Sequence, residues 1–199
     1  MESEGYGKRG WLVNARRGYS PGVETTAAIL LRKTKLTETS LIVTWLTESH
    51  GRLKTVAKGA RRPRSAFAGK LDLFFDAEIQ FARSKKSELH TLREVVLKNP
   101  REGVRKNYRS VQLASYFVEL VELVTEPDHA VPEIYDLLKR ALDFLDANAP
   151  TKRALLHFES ELTRVMGVQN KNAASPAQAI GHLCGRLPQG RQELVSRLG

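Results

Sequence analysis

The sequence predicts an α+β protein, all-β then all-α: a five-stranded barrel over residues 24–99, followed by a helical unit over residues 100–199. Two observations carry this prediction. Between about residues 25 and 98 the apolar pattern is that of strands, five runs with no helical stretch between the first three. After Pro100 the period lengthens to that of amphipathic helices.

Residues 1–23, MESEGYGKRGWLVNARRGYSPGV, show little periodicity and read as a flexible leader, within which Lys8, Arg9, Arg16 and Arg17 form a candidate basic arm. TAAILLRK and SLIVTWLT are β-branched and apolar on both faces, and GRLKTVAKG follows a His50-Gly51 turn. In FFDAEIQFAR, Phe75, Ala77, Ile79 and Phe81 alternate with Asp76, Glu78 and Gln80, the pattern of a strand with one wet side. ELHTLREVVL makes the fifth strand after the turn-like SKKS, and together the five suggest a small antiparallel barrel.

The first helical stripe is Val111, Ala114, Val118, Val121 and Val124; the second is Ile134, Leu137, Leu138, Ala141, Leu142 and Leu145. Leu155, Phe158, Leu162 and Val165 make the third, with Thr151 placed as its N-cap and Gly167 at its end. The tail after residue 168 is weakly defined, although Ser175 and Pro176 can start a further helix and RQELVSRL a last one.

The formal charge is +10 over 199 residues, which attracts polyanions, either nucleic acid or an anionic membrane surface. No run approaches the roughly 18 apolar residues of a membrane span, and no apolar stretch marks a secretory signal. Cys184 is the single cysteine, so no internal disulfide forms, which suits a cytoplasmic protein.

No catalytic constellation is present, and the expectation is a protein that is not an enzyme and uses no cofactor. The histidines are scattered, no phosphate loop or nucleophile motif occurs, and Glu159 and Glu161 read as a solvated helical surface. His182 and Cys184 are two incidental residues on a surface helix rather than a metal site.

What remains is binding. GRLKTVAKGARRPRSAFAGK, residues 51–70, carries seven cations and no acid. Arg52, Lys54, Val56 and Lys58 recur at period two and emerge on one face of a strand, opposite Leu53, Thr55 and Ala57. A Gly- and Pro-bounded loop continues the charge through Arg61, Arg62, Arg64 and Lys70, a track suited to a phosphodiester backbone. Arg32, Lys33 and Lys35 are candidates to extend it. Phe67 and Phe74 are candidates to stack a base, with core packing the plainer role for each. A second group, Arg101, Arg105, Lys106 and Arg109, joins only if the helical unit folds back against the barrel.

At GRLKTVAKGARRPRSAFAGKLDLF, followed by SELHTLREVVL, the sequence resembles the RecO family of bacterial recombination mediators. The strand, the A-K-G-A-R-R box, the Ser-x-Phe, the Leu-x-x-Phe and the later L-x-T-L-R-E follow in the family's order, and the resemblance runs over residues 26 to about 166. It implies an N-terminal OB-fold that binds nucleic acid and a C-terminal helical domain. It also implies binding of single- and double-stranded DNA, strand annealing, docking on the C-terminal tail of single-stranded-DNA-binding protein, and work with RecR to load RecA. Arg52, Lys54, Lys58, Arg61, Arg62 and Arg64 match the family's basic strand and box. The chain departs from it in one respect: many members hold zinc with four cysteines in two C-x-x-C pairs, and with Cys184 alone no metal is expected. The alternative of another class is a sequence-specific regulator or RNA-binding protein built on the same barrel.

Overall fold

A computed structural model describes residues 22–168 and 173–198; the candidate arm cations Lys8, Arg9, Arg16 and Arg17 lie outside them. The barrel comprises β1 (Val23–Lys35), β2 (Leu41–Thr47), β3 (Gly51–Ala57), β4 (Asp76–Ala82) and β5 (Leu89–Asn99). It is closed in the order β1-β2-β3-β5-β4, with β4 pairing back onto β1. One pair, β3 with β5, is parallel, which corrects the antiparallel barrel expected from the sequence. The reason is topological: strand direction cannot alternate all the way round a ring with an odd number of members. The path from β3 to its parallel neighbour runs through the connection 58–75 and β4, long enough for the crossover a parallel pair requires.

Both faces of β1 and β2 are buried, in different cores. Leu30, Trp45, Leu53, Ile79, Phe81 and Leu92 fill the barrel. There the Trp45 indole Nε1 donates to Thr55 Oγ1 at 2.9 Å, satisfying the one polar atom of that large side chain. Ile29, Leu31 and Leu46 point outward and join the core of the helical unit. A register shift between Leu30 and Arg32 sets Leu31 beside Arg32 on this outer side, so one strand supplies both an apolar contact and a charge. On β4 the supposed wet side is only partly wet, because Asp76 is buried where the helices cover the barrel.

The helical unit contains α1 (Glu102–Arg105), α2 (Tyr108–Val124), α3 (Pro132–Ala147), α4 (Lys152–Val165), α5 (Pro176–Cys184) and α6 (Arg191–Arg197). Asn107, Thr151 and Ser175 cap α2, α4 and α5, each side-chain oxygen accepting a backbone N–H two or three residues on. The single stripe expected on α2 widens to Leu113, Ala114, Tyr116, Phe117, Val118, Leu120 and Val121, since this helix is central in the unit. None of these helices is long and apolar enough to cross a membrane, among the described residues.

Glu159 is the clearest departure from a solvated surface, being 0% exposed. Arg191 of α6 donates to both of its oxygens, at 2.6 and 2.7 Å, and the Tyr116 hydroxyl donates to one of them. Burial, and the carboxylate beside it, push the Tyr116 hydroxyl well above its ordinary value, so it remains a donor at any physiological pH. The triad ties α6 to α2 and α4, which explains how a seven-residue helix is held in place.

Barrel and helices meet at the β2–β3 turn, among other places. Gly51 has φ +68, and a Cβ there would lie 2.0 Å from the His129 carbonyl oxygen; only glycine allows the α2–α3 connection to come so close. Beside it Arg83 spans two carboxylates, Nε to Glu24 Oε1 at 2.8 Å and Nη1 to Asp128 Oδ1 at 2.7 Å. The hydrogen bond from Arg83 holds the Glu24 carboxyl below its ordinary value of 4.5. A depressed carboxylate contributes stability above its unfolded value and loses it as pH falls. Arg83→Met is therefore expected to lower stability by about 0.5–1 kcal/mol at pH 7 for these partly exposed groups. The gap between variant and parent should close below about pH 4.5, read as thermal midpoints at pH 7 and at pH 3; an undiminished gap at the lower pH counts against the ion pair.

Candidate nucleic-acid interface

The alternation of β3 divides its residues as its sequence implies. Gly51, Leu53, Thr55 and Ala57 are buried inward, while Arg52, Lys54 and Val56 point outward. Residues opposite one another across a sheet share a face, so the register sets Thr44 beside Lys54, and Ile42, Val56 and Thr91 in one outward row. Thr34 continues that row on β1. Half-buried Ile42, Val56 and Thr91 thus form a shallow floor on the β2–β3 side of the barrel, the side on which OB-folds bind oligonucleotides. Lys54 and Lys58 stand on either side of Val56, exposed and with no ion pair among the described residues.

Arg52 has a different neighbour. Its Nη2 donates to the Thr125 carbonyl at 2.9 Å, and its own carbonyl accepts from Asp128 N–H at 3.1 Å, where the strand bridges to Pro127. It is half-buried against the α2–α3 connection, so the row of cations begins in effect at Lys54.

The connection after β3 is ordered rather than slack. Successive turns close from Arg62 N–H to Gly59 O, Ser65 to Arg62, Ala68 to Ser65 and Lys70 to Phe67. Phe67, 8% exposed, plugs the barrel, and Phe74, 3% exposed, lies in the helical core, so neither ring offers a face to a base. With its turns closed and Phe67 anchored, the loop presents Arg62 and Arg64 to solvent with no ion pair among the described residues, while Lys70 is half-buried. Arg61 instead donates to the Glu38 carbonyl at 3.1 Å, joining this loop to the β1–β2 loop.

The β1 cations are all neutralised. Arg32 pairs with Glu122 of α2 at 2.6 Å, Lys33 with Asp72 at 2.6 Å, and Lys35 with Glu38 at 2.5 Å. The helical unit does fold back on the barrel, but Arg101 is buried in doing so and Arg105 is tied to Asp72 at 3.2 Å, leaving Lys106 and Arg109 exposed. Sequence reasoning missed Lys85 and Lys86, both exposed in the β4–β5 loop. The parallel register of Lys54 with Leu89 brings that loop to the Lys54 end of the floor, and Ser84 N–H, donating to buried His90 Nδ1 at 3.1 Å, holds its base. Their signal was present in SKKS but needed the β3–β5 pairing to be read.

The donors for a family-type zinc site do not fit. Cys184 Sγ is half-buried 4.0 Å from the Leu123 carbonyl, and no three of His, Cys, Asp or Glu converge among the described residues.

Comparison with known proteins follows this architecture. Residues 23–101 match the family model described as Recombination protein O N terminal, and residues 105–171 the one described as Recombination protein O C terminal. The chain is 32% identical over 159 residues to the DNA repair protein RecO of Rhodopirellula baltica, covering 80% of this chain and 57% of that protein. It is 36% identical over 123 residues to the protein of that name from Desulfatibacillum aliphaticivorans, covering 61% and 48%. With the one from Methylococcus capsulatus it shares 31% identity over 167 residues, covering 83% and 67%. The chain spans about half the length of the curated relatives it first matches.

Proposed function

The chain belongs to the RecO family of DNA repair proteins, and from that premise we propose that it is a non-enzymatic recombination mediator that binds single- and double-stranded DNA through its barrel. The observation that carries the proposal is the set Lys54, Lys58, Arg62 and Arg64, exposed and without an ion pair among the described residues, beside the β2–β3 floor, with Lys85 and Lys86 at the Lys54 end. A charged groove that tracks a backbone without a sequence code suits a protein that must act on any strand. Strand annealing, RecA loading together with RecR, and a cytoplasmic place at the nucleoid complete the reading.

The tail of single-stranded-DNA-binding protein is assigned to the helical unit. Between α3 and α4 a cavity of about 500 Å³ is lined by Phe117, Leu137, Phe144 and Phe158 and by the cations Arg153 and Arg140, the latter already paired with Asp136 at 2.8 Å, with His157 beside them. Cations in an apolar lining fit a chain end, whose carboxylate meets a guanidinium while an apolar side chain enters the cavity. The test is annealing of complementary oligonucleotides, bare or coated with single-stranded-DNA-binding protein. The chain is expected to accelerate both. The Arg140→Glu, Arg153→Glu double variant is expected to keep its activity on bare strands and lose about tenfold on coated ones. No stimulation by the parent chain overturns the mediator reading, and a preference for RNA or one sequence favours a regulator instead.

A further inference from the structure

We propose that the nucleic-acid path continues from the β3–β4 connection onto the corner between α1 and α2, where Tyr108 stacks an unpaired base between Lys106 and Arg109. This rests on the DNA-binding reading above and extends it to a residue outside the barrel.

A single-strand groove needs ring faces as well as charge, because stacking supplies contact that every base can use. The barrel withholds its own candidates, since Phe67 and Phe74 are buried. Tyr108 is 71% exposed, the most exposed large apolar side chain among the described residues. Asn107 Oδ1 accepts from Arg109 N–H at 2.9 Å and caps α2, so the ring projects from the first residue of a 17-residue helix rather than from a loose loop. Lys106 and Arg109 flank it, exposed and without an ion pair among the described residues. Residues 103–118 contain no acid and carry Arg105, Lys106 and Arg109.

The corner is physically joined to the track. Arg105 Nη2 donates to the Leu73 carbonyl at 3.0 Å and lies 3.2 Å from Asp72 Oδ2, while Lys33 holds the other oxygen of that carboxylate at 2.6 Å. The Arg105 guanidinium also lies 4.5 Å from the centre of the Phe75 ring. α1 is therefore pinned to the end of the connection that carries Arg62, Arg64 and Lys70. Tyr108 is three residues on, at most about 11 Å from Arg105 along the chain. Of the acids near its ring, Glu193 is neutralised by Arg197, and Glu119 is about 16 Å further along α2.

The test is equilibrium binding of the full chain to a labelled oligothymidylate and to a blunt duplex. Tyr108→Ala is expected to weaken single-strand binding about tenfold, within the roughly five- to hundredfold that loss of one base–aromatic contact brings. Duplex binding should change by less than about twofold, because paired bases offer no free face, and Tyr108→Phe should keep the parent affinity for both. Unchanged single-strand affinity in Tyr108→Ala, or an equal loss on both ligands, overturns the stacking assignment. If removal of Lys54, Lys58, Arg62 and Arg64 weakens binding while Tyr108→Ala does not, only the extension falls; if the parent chain binds neither ligand, the DNA-binding reading falls with it.

Discussion

Replacing Lys54, Lys58, Arg62 and Arg64 together by alanine is expected to lower affinity for single-stranded DNA on the order of several hundredfold at about 0.1 M salt, and to reduce the salt slope by about 2.8. Both figures follow from about 0.7 per phosphate neutralised, summed over four contacts and extrapolated from molar salt. The four are chosen because they are exposed and carry no ion pair among the described residues, so their charge is available to a ligand. Arg32, Lys33 and Lys35 already neutralise Glu122, Asp72 and Glu38, and replacing them should change affinity far less. The thermal midpoint of the fourfold variant should stay near that of the parent, since exposed charges add little to stability. Arg52→Ala makes the contrast: it severs the hydrogen bond to Thr125, so its effect should fall on stability more than on the salt slope. Titrations at several salt concentrations decide the matter, and a parent-like slope in the fourfold variant would place the interface elsewhere.

Arg101→Met is expected to destabilise the fold by about 3–5 kcal/mol, the range for removing one partner of a buried ionic cluster. At this chain length that amounts to roughly 6–20 °C in thermal midpoint. The Arg101 side chain is 0% exposed, and its Nε donates to Asp143 Oδ1 at 2.8 Å. Its Nη1 donates to the Phe74 carbonyl, and Nη2 lies 3.8 Å from Asp76 Oδ2. Both Arg101, at φ +46, and Phe74, at φ +68, adopt the left-handed region that side chains avoid. Two such residues bonded to each other persist only where their surroundings over-determine them, here the seam between barrel and α3. Burial raises the Asp76 carboxyl above its ordinary value despite Arg101 and Lys139. Without Arg101 that value rises further, and a raised carboxylate penalises the fold above its unfolded pKa. The deficit of the variant should accordingly be greatest near neutral pH and shrink below about pH 4, where both states are protonated. A deficit that stayed below about 1 kcal/mol would mean that the seam is held by its apolar contacts alone.

Much of this protein was legible from its residues because periodicity is a local property. The alternation of β3 placed Arg52 and Lys54 opposite Leu53 and Thr55, although the strand ends at Ala57 and Lys58 lies in the turn that follows, and the caps Thr151 and Ser175 marked helix starts, since each of these depends on neighbours within one turn or one pleat. The apolar character of β1 and β2 on both faces was visible too, although what covered the second face was not. Charge was harder to read, because a cation's availability depends on what lies opposite it. Arg32 meets Glu122, 90 residues away, Arg101 meets Asp143 at a separation of 42, and Glu159 meets Arg191 at 32.

By itself the sequence determined the strand and helix succession, the outward row on β3 and the excess of positive charge, all of which follow from spacing along the chain. Only the tertiary structure decided which cations remain free, that β3 and β5 run parallel, that Phe67 and Phe74 are core while Tyr108 is not, and that Arg52 serves the junction. The physical reason is that an ion pair or a burial is set by distance in space, and the closing of the barrel and the folding back of the helices bring together residues whose separation in the chain carries no signal of their meeting.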